Sequence, residues 1–156
     1  MRKNEGIRQE VLGFRKKSAG MRNFRELKIW QKGMDIVTGV YQLTSLLPKD
    51  EKFGLKTQLQ RAAVSIPSNI AEGCSRNSEI DFKRFLEIAI GSTYELETQL
   101  TIVENINLVS EEKVFPMLQL LSEEQKMLNS FIASIKERSE KKYKKLPKSQ
   151  NLMPKT

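Results

Sequence analysis

The sequence predicts an all-α fold, an antiparallel up-and-down four-helix bundle with basic ends. Three observations carry this. Apolar residues recur every three to four positions through four segments, with no alternating strand pattern between them. Prolines and capping residues punctuate those segments at short connections. The length, 156 residues, suits one domain with a single core.

The first helix is expected over residues 24–47, stopping before Pro48. Leu27, Trp30, Met34, Val37 and Tyr41 form one apolar stripe along it, read as the buried seam. A second stripe, Ile29, Gly33, Ile36, Val40, Leu43 and Leu47, lies roughly 120° away at about 100° per residue. A helix at the edge of a small bundle needs one stripe. The second asks for another partner, and self-association is the simplest one. The other reading is a single wide apolar face inside a monomer.

The second helix is expected over 52–72, its inner face made by Leu55, Leu59, Ala62, Ala63, Ile66 and Ile70. Pro67 removes one backbone donor, so a kink is expected there. Gly73 suits the left-handed position after a helix end. The third helix starts from a Ser78 cap with Asp81 in capping-box position, and Phe82, Leu86, Ala89, Thr93, Leu96, Leu100 and Val103 face inward. Ile88 and Ile102 fall near its far side, where they suit a contact between subunits. The fourth helix follows Ser110 and runs to about 140 through Val114, Met117, Leu121, Leu128, Ile132 and Ile135. Pro116 should bend it, and the cap-like Ser122-Glu123-Glu124-Gln125 leaves a break near Leu121 open.

The domain organisation follows as a basic extension (1–21), a bundle (22–140) and a lysine-rich, disordered tail (141–156). The formal charge of +8 divides unevenly along the chain. Residues 1–23 carry 7 basic and 2 acidic side chains, and residues 141–156 carry 6 basic and none acidic. The stretch between has 14 basic and 17 acidic, a net of −3. Inside it, 24–76 is +3 and 77–140 is −6, so halves of neighbouring copies can attract.

Composition removes most catalytic chemistry. With no His there is no imidazole base, Ser–His dyad or His-ligated metal, and the single Cys74 can form no intrachain disulfide. The expectation is a protein without enzymatic activity, metal or cofactor. No apolar run approaches the ~18 residues of a membrane span, and the N-terminal stretch lacks a secretory apolar core, which together point to the cytoplasm.

Basic groups suggest where nucleic acid could bind. Arg25, Lys28 and Lys32 share a side of the first helix, and Arg61 projects from the second away from its apolar stripe. In the tail, Lys141, Lys142, Lys144 and Lys145 offer phosphate contacts around one stacking ring, Tyr143. A solvated face and a solubilising tail are the commoner explanations for such runs.

Three stretches do more than set a period. They are Phe24-Arg25-Glu26-Leu27-Lys28-Ile29-Trp30-Gln31-Lys32, then Arg61-Ala62-Ala63-Val64-Ser65-Ile66-Pro67-Ser68-Asn69-Ile70-Ala71-Glu72-Gly73, and Phe82-Lys83-Arg84-Phe85-Leu86 leading to Tyr94-Glu95-Leu96-Glu97-Thr98-Gln99-Leu100. Over residues 22–138 the chain closely resembles the bacterial four-helix bundle family of ribosomal RNA intervening-sequence proteins. That resemblance implies a homopentamer of up-and-down bundles with no enzymatic activity. It also implies kinship with the accessory protein of diversity-generating retroelements, a basic pentameric barrel that binds nucleic acid and works with a reverse transcriptase. This chain departs from that accessory protein in its net acidic bundle, so any RNA or DNA contact leans on the ends and on a patch of the first two helices. The expected function is an oligomeric nucleic-acid scaffold, with a protein-interaction scaffold as the alternative.

Overall fold

A computed structural model describes residues 22–144, apart from the side chains of Lys52 and Phe53. Four helices carry the fold: α1 (Lys28–Thr44), α2 (Leu55–Cys74), α3 (Glu79–Asn105) and α4 (Glu111–Lys144). Short 3-10 turns at Phe24–Glu26 and Lys49–Phe53 precede α1 and α2, and the described residues contain no strand. Each helix packs on its two neighbours, with α4 returning against α1, which closes a four-helix bundle.

Local chemistry sets the ends. Asn23 accepts the Arg25 N–H and starts the first turn, and an extended Leu27 (ψ 126°) delays α1 to Lys28. The Glu51 carboxylate accepts the Leu55 N–H and fixes the start of α2. Ser78 caps α3 by accepting the Asp81 N–H at 3.0 Å, as its sequence position predicts. Acidic first turns in α3 and α4, and lysines in the last turn of α4, complement the helix dipoles. Asn107, at φ 57°, turns the chain between α3 and α4 in the left-handed region that Asn tolerates.

The core runs the length of the bundle. Fully buried Leu59, Ile66 and Ile70 of α2 meet Phe82, Leu86, Leu96 and Leu100 of α3, and α4 adds Leu121, Leu128 and Ile135. Burying each such side chain stabilises the fold by roughly 1.5–3 kcal/mol. Phe82 and Phe131 cross edge to face with centroids 5.6 Å apart, locking α3 to α4.

Four expectations need correction. On α1 both stripes lie against the core of one chain as a single wide apolar face, and the second stripe is the deeper. Ile29, Ile36, Val40, Leu43 and Leu47, expected to face another subunit, are 0–7% exposed in the core of their own chain, with Gly33 among them. Met34 and Tyr41, expected inside, are 40% and 49% exposed, while Leu27, Trp30 and Val37 are half-buried. The reason is a close approach at Gly33, where an added Cβ would stand 3.4 Å from the Pro67 Cβ of α2. The stripe that contains Gly33 lets α1 and α2 meet closely; the stripe with the larger rings stays at the edge.

Gly73 is the second correction. It lies buried inside α2, not in a left-handed cap, and a Cβ there would come within 2.8 Å of the Phe85 Cβ and 2.9 Å of the Phe82 Cδ2. Close α2–α3 packing, not a turn, requires it. Third, α4 passes unbroken through Leu121, so the break left open there does not occur and Ser122 caps nothing. Continuity of α2 through Pro67 agrees with its unbroken apolar period, and α4 likewise continues through Pro116. Fourth, α4 remains helical through Lys144, past the expected start of a disordered tail. The expected basic extension, residues 1–21, and the tail from Lys145 on lie outside the described residues.

Candidate nucleic-acid interface

Both termini of the described chain come to the same end of the bundle. Arg22 pairs with Glu79 in the first turn of α3, and its guanidinium lies 4.2 Å above the Phe82 ring centroid. Arg138 of α4 reaches the other Glu79 oxygen at 3.5 Å. Glu79 thus gathers two cations from opposite ends of the sequence. The basic stretches 1–23 and 141–156 are joined to the bundle at this end.

The last buried residue of α4 is Ile135, and none of residues 136–144 is buried. At 1.5 Å per residue, that makes about 13 Å of helix beyond the core. This segment carries five basic side chains, Lys136, Arg138, Lys141, Lys142 and Lys144, against Glu137 and Glu140. Lys141 pairs with Glu137 at 2.6 Å, whereas Lys142, Tyr143 and Lys144 are exposed.

The basic candidates on α1 and α2 are not gathered into one patch. Arg25 is exposed, its guanidinium 4.6 Å from the Phe24 ring centroid, and Lys28 is exposed nearby. Lys32 turns instead to α4 and donates to Glu123 at 2.5 Å. That bond holds the Glu123 carboxyl below the usual carboxylate range. Arg61 is exposed beside Gln60, which donates to Thr44 at the far end of α1. Pro67 packs on Gly33, so Arg61, six positions earlier on α2, lies on the far side of that crossing from Arg25. Ile88 and Ile102 are exposed on α3, at 45% and 41%.

Sequence reasoning missed three important side chains. Arg22 and Arg138 gain their role only from Glu79, 57 and 59 positions away, which no local pattern reveals. Glu124 is fully buried in α4, and neither carboxylate oxygen has a hydrogen-bond partner. A signal for it exists: the inner stripe of α4 skips from Leu121 to Leu128, and Glu124 fills the gap.

Other features give little chemistry. Cys74 is buried, and burial pushes its thiol up to about 11, so it is a poor nucleophile. Among the described residues no cluster of three His, Cys, Asp or Glu could hold a metal ion. No helix among them is long and apolar enough to cross a membrane. Asn69 donates to the Ser65 carbonyl at 2.8 Å and to its hydroxyl at 3.0 Å, a structural role beside Pro67.

Four antiparallel helices around an apolar interior, with basic side chains gathered at one end, define an all-α bundle protein. The chain belongs to the 23S rRNA-intervening sequence protein family, whose model matches residues 25–130. A similar solved structure comes from Bacteroides thetaiotaomicron and is described as a protein with unknown function from the S23 ribosomal protein family. It aligns with a TM-score of 0.63 at 25% identity, covering 67% of this chain and 97% of that one. A comparison with curated proteins returned no match.

Proposed function

We propose that this chain is a non-enzymatic, homo-oligomeric scaffold for RNA or DNA that acts in the cytoplasm through the cationic end of its bundle. The observation that carries the reading is the convergence of Arg22 and Arg138 on Glu79. Four antiparallel helices bring the attachment points of the +5 and +6 stretches to that end and Glu79 joins them there, so their charges act on one partner rather than on two. Lys141, Lys142 and Lys144 neutralise phosphates, Tyr143 stacks on a base, and Lys145 extends the run. Arg25 and Lys28, near the same end of α1, are the helix-1 groups best placed to join them. Lys32 is held by Glu123, and Arg61 lies too far along the bundle.

Assembly multiplies such contacts by raising their effective concentration. The apolar surface available for it includes Met34 and Tyr41 on α1 and Ile88 and Ile102 on α3. Five copies is the number implied by the family resemblance. The test is fluorescence anisotropy of labelled RNA and labelled DNA with the full chain at low salt. Binding to at least one is expected; a flat titration with both contradicts the reading.

The exposed Met34 and Tyr41 also favour a second reading, a scaffold whose partner is another polypeptide. A reverse transcriptase is one candidate by resemblance. Recovery of a protein partner that survives nuclease treatment, from a chain that ignores nucleic acid, supports this second reading.

A further inference from the structure

Glu124 stands at the middle of the α4 inner stripe, between Leu121 and Leu128, with no exposed surface and no hydrogen bond to either oxygen. A buried carboxylate costs several kcal/mol unless it is paired, so such a group stays uncharged or leaves. It faces the interior between Glu123, which reaches α1, and Gln125, which reaches α3, and so borders the joint between α4 and α1. One ion pair spans that joint directly beside it, Lys32 with Glu123 at 2.5 Å. Grooves flank the pair on both sides. One, of about 680 Å³, lies between Leu27 and Ile29 of the α1 end and Met127 and Phe131 of α4. The other, of about 360 Å³, lies between Gly39 and Leu46 and the Pro116–Met117 turn of α4. The joint is thus incompletely filled toward both ends, with the unpaired carboxyl between them.

We propose that Glu124 makes the α1–α4 joint a pH-operated latch. Uncharged, the carboxyl remains in the core and the joint stays shut. Ionised, it moves out through the joint and takes Lys32 from Glu123, which water then solvates. One cation is exchanged between adjacent carboxylates, so no further ion is required.

The surrounding charges fit this exchange. From α1, Lys32 is the cation that acts on Glu124, and it favours the charged form. On α4 itself Glu123 and Lys126 are neighbours, and Glu123 already holds Lys32. From α3, the nearby acid is Glu97, which accepts from Gln125 at 2.6 Å. Burial outweighs Lys32 and pushes the Glu124 carboxyl up to about 8.

The sign follows from linkage. An acid whose folded value is raised favours the closed state below its ordinary value of 4.5, and that advantage is lost as pH rises toward 8. Across that window, opening becomes about tenfold easier per pH unit, and above it the dependence flattens.

The experiment is hydrogen exchange of the full chain from pH 5.5 to 9, corrected for intrinsic rates, on wild type, E124Q and E123Q. Amides of α1 and mid-α4 are expected to lose protection as pH rises in wild type and to show a flat profile in E124Q. E123Q frees Lys32 and is expected to shift the profile to lower pH. An unchanged slope in E124Q overturns the proposal, as does a profile in E123Q that fails to move. Should E124Q not fold, a carbon-13 carboxyl titration of wild type decides. A Glu124 value in the ordinary carboxylate range overturns the latch, and a raised value coincident with the loss of protection supports it.

Discussion

Arg22 and Glu79, 57 positions apart, form an ion pair that ties the entry of the chain to the first turn of α3. Arg138 meets the same carboxylate from α4. Glu79 therefore does two things: it complements the α3 dipole, and it offsets positive charge at the end from which both basic stretches depart.

Replacing Glu79 with Gln separates these effects. The pair is partly exposed, so the expected loss of stability is about 1 kcal/mol or less, read from denaturant midpoints. Nucleic-acid affinity is expected to rise, because two guanidinium groups lose their carboxylate while the packing of Arg22 on Phe82 and of Phe82 on Phe131 still holds both ends together. A fall in affinity without unfolding contradicts the placement of the interface.

Gly73 and Gly91 make opposite predictions for the same change. At Gly73 the new methyl meets Phe85 and Phe82 at under 3 Å, so G73A is expected to cost about 1–3 kcal/mol. At Gly91 nothing lies within 4 Å, so G91A is expected to stabilise α3 by roughly 0.5–1 kcal/mol. Thermal unfolding at low protein concentration reads both.

Glu124 gives the global fold a pH dependence of fixed sign. Its folded value, about 8, lies above the ordinary 4.5, so stability is greatest below 4.5 and declines up to about pH 8. E124M keeps the shape of the side chain and removes the buried carboxyl. It is expected to raise stability at pH 8 by on the order of 1–3 kcal/mol and to abolish that part of the decline. Equal denaturant midpoints for wild type and E124M at pH 8 contradict this.

The burial of Ile36 and Val40 inside their own chain reverses an obvious mutational expectation. I36D and V40D place charge at fully buried positions and are expected to unfold the monomer. M34D and Y41D are expected to keep helical circular dichroism while lowering the mass seen by light scattering. A monomeric wild type removes the assembly part of the proposed function.

Much of the fold was legible in the sequence because periodicity and caps are local. Ser78 and the apolar spacing of α2 and α3 were sufficient to place those helices. The orientation of α1 was not, because two stripes of equal period differ only in what they meet. A glycine facing Pro67 decided between them, and that approach is non-local. Gly73 misled for a related reason: its position near a helix end suggested a turn, whereas the neighbouring phenylalanines made small size the requirement. The candidate site was legible only as charge totals. That the two basic stretches join one end of the bundle follows from four antiparallel helices; what no spacing indicates is that Arg22 and Arg138 share Glu79 there. Glu124 was visible as a missing apolar residue in an otherwise regular stripe.

The most direct measurement is the salt dependence of nucleic-acid binding by the full chain, compared with its K141Q/K142Q/K144Q variant. Removing one lysine that neutralises a phosphate reduces the slope of log affinity against log salt by about 0.7–0.9, so removing all three reduces it by roughly 2–3. The account predicts a steep slope in wild type and that reduction in the variant, with the helical content of the bundle retained. Identical slopes, or no binding by wild type at low salt, contradict it.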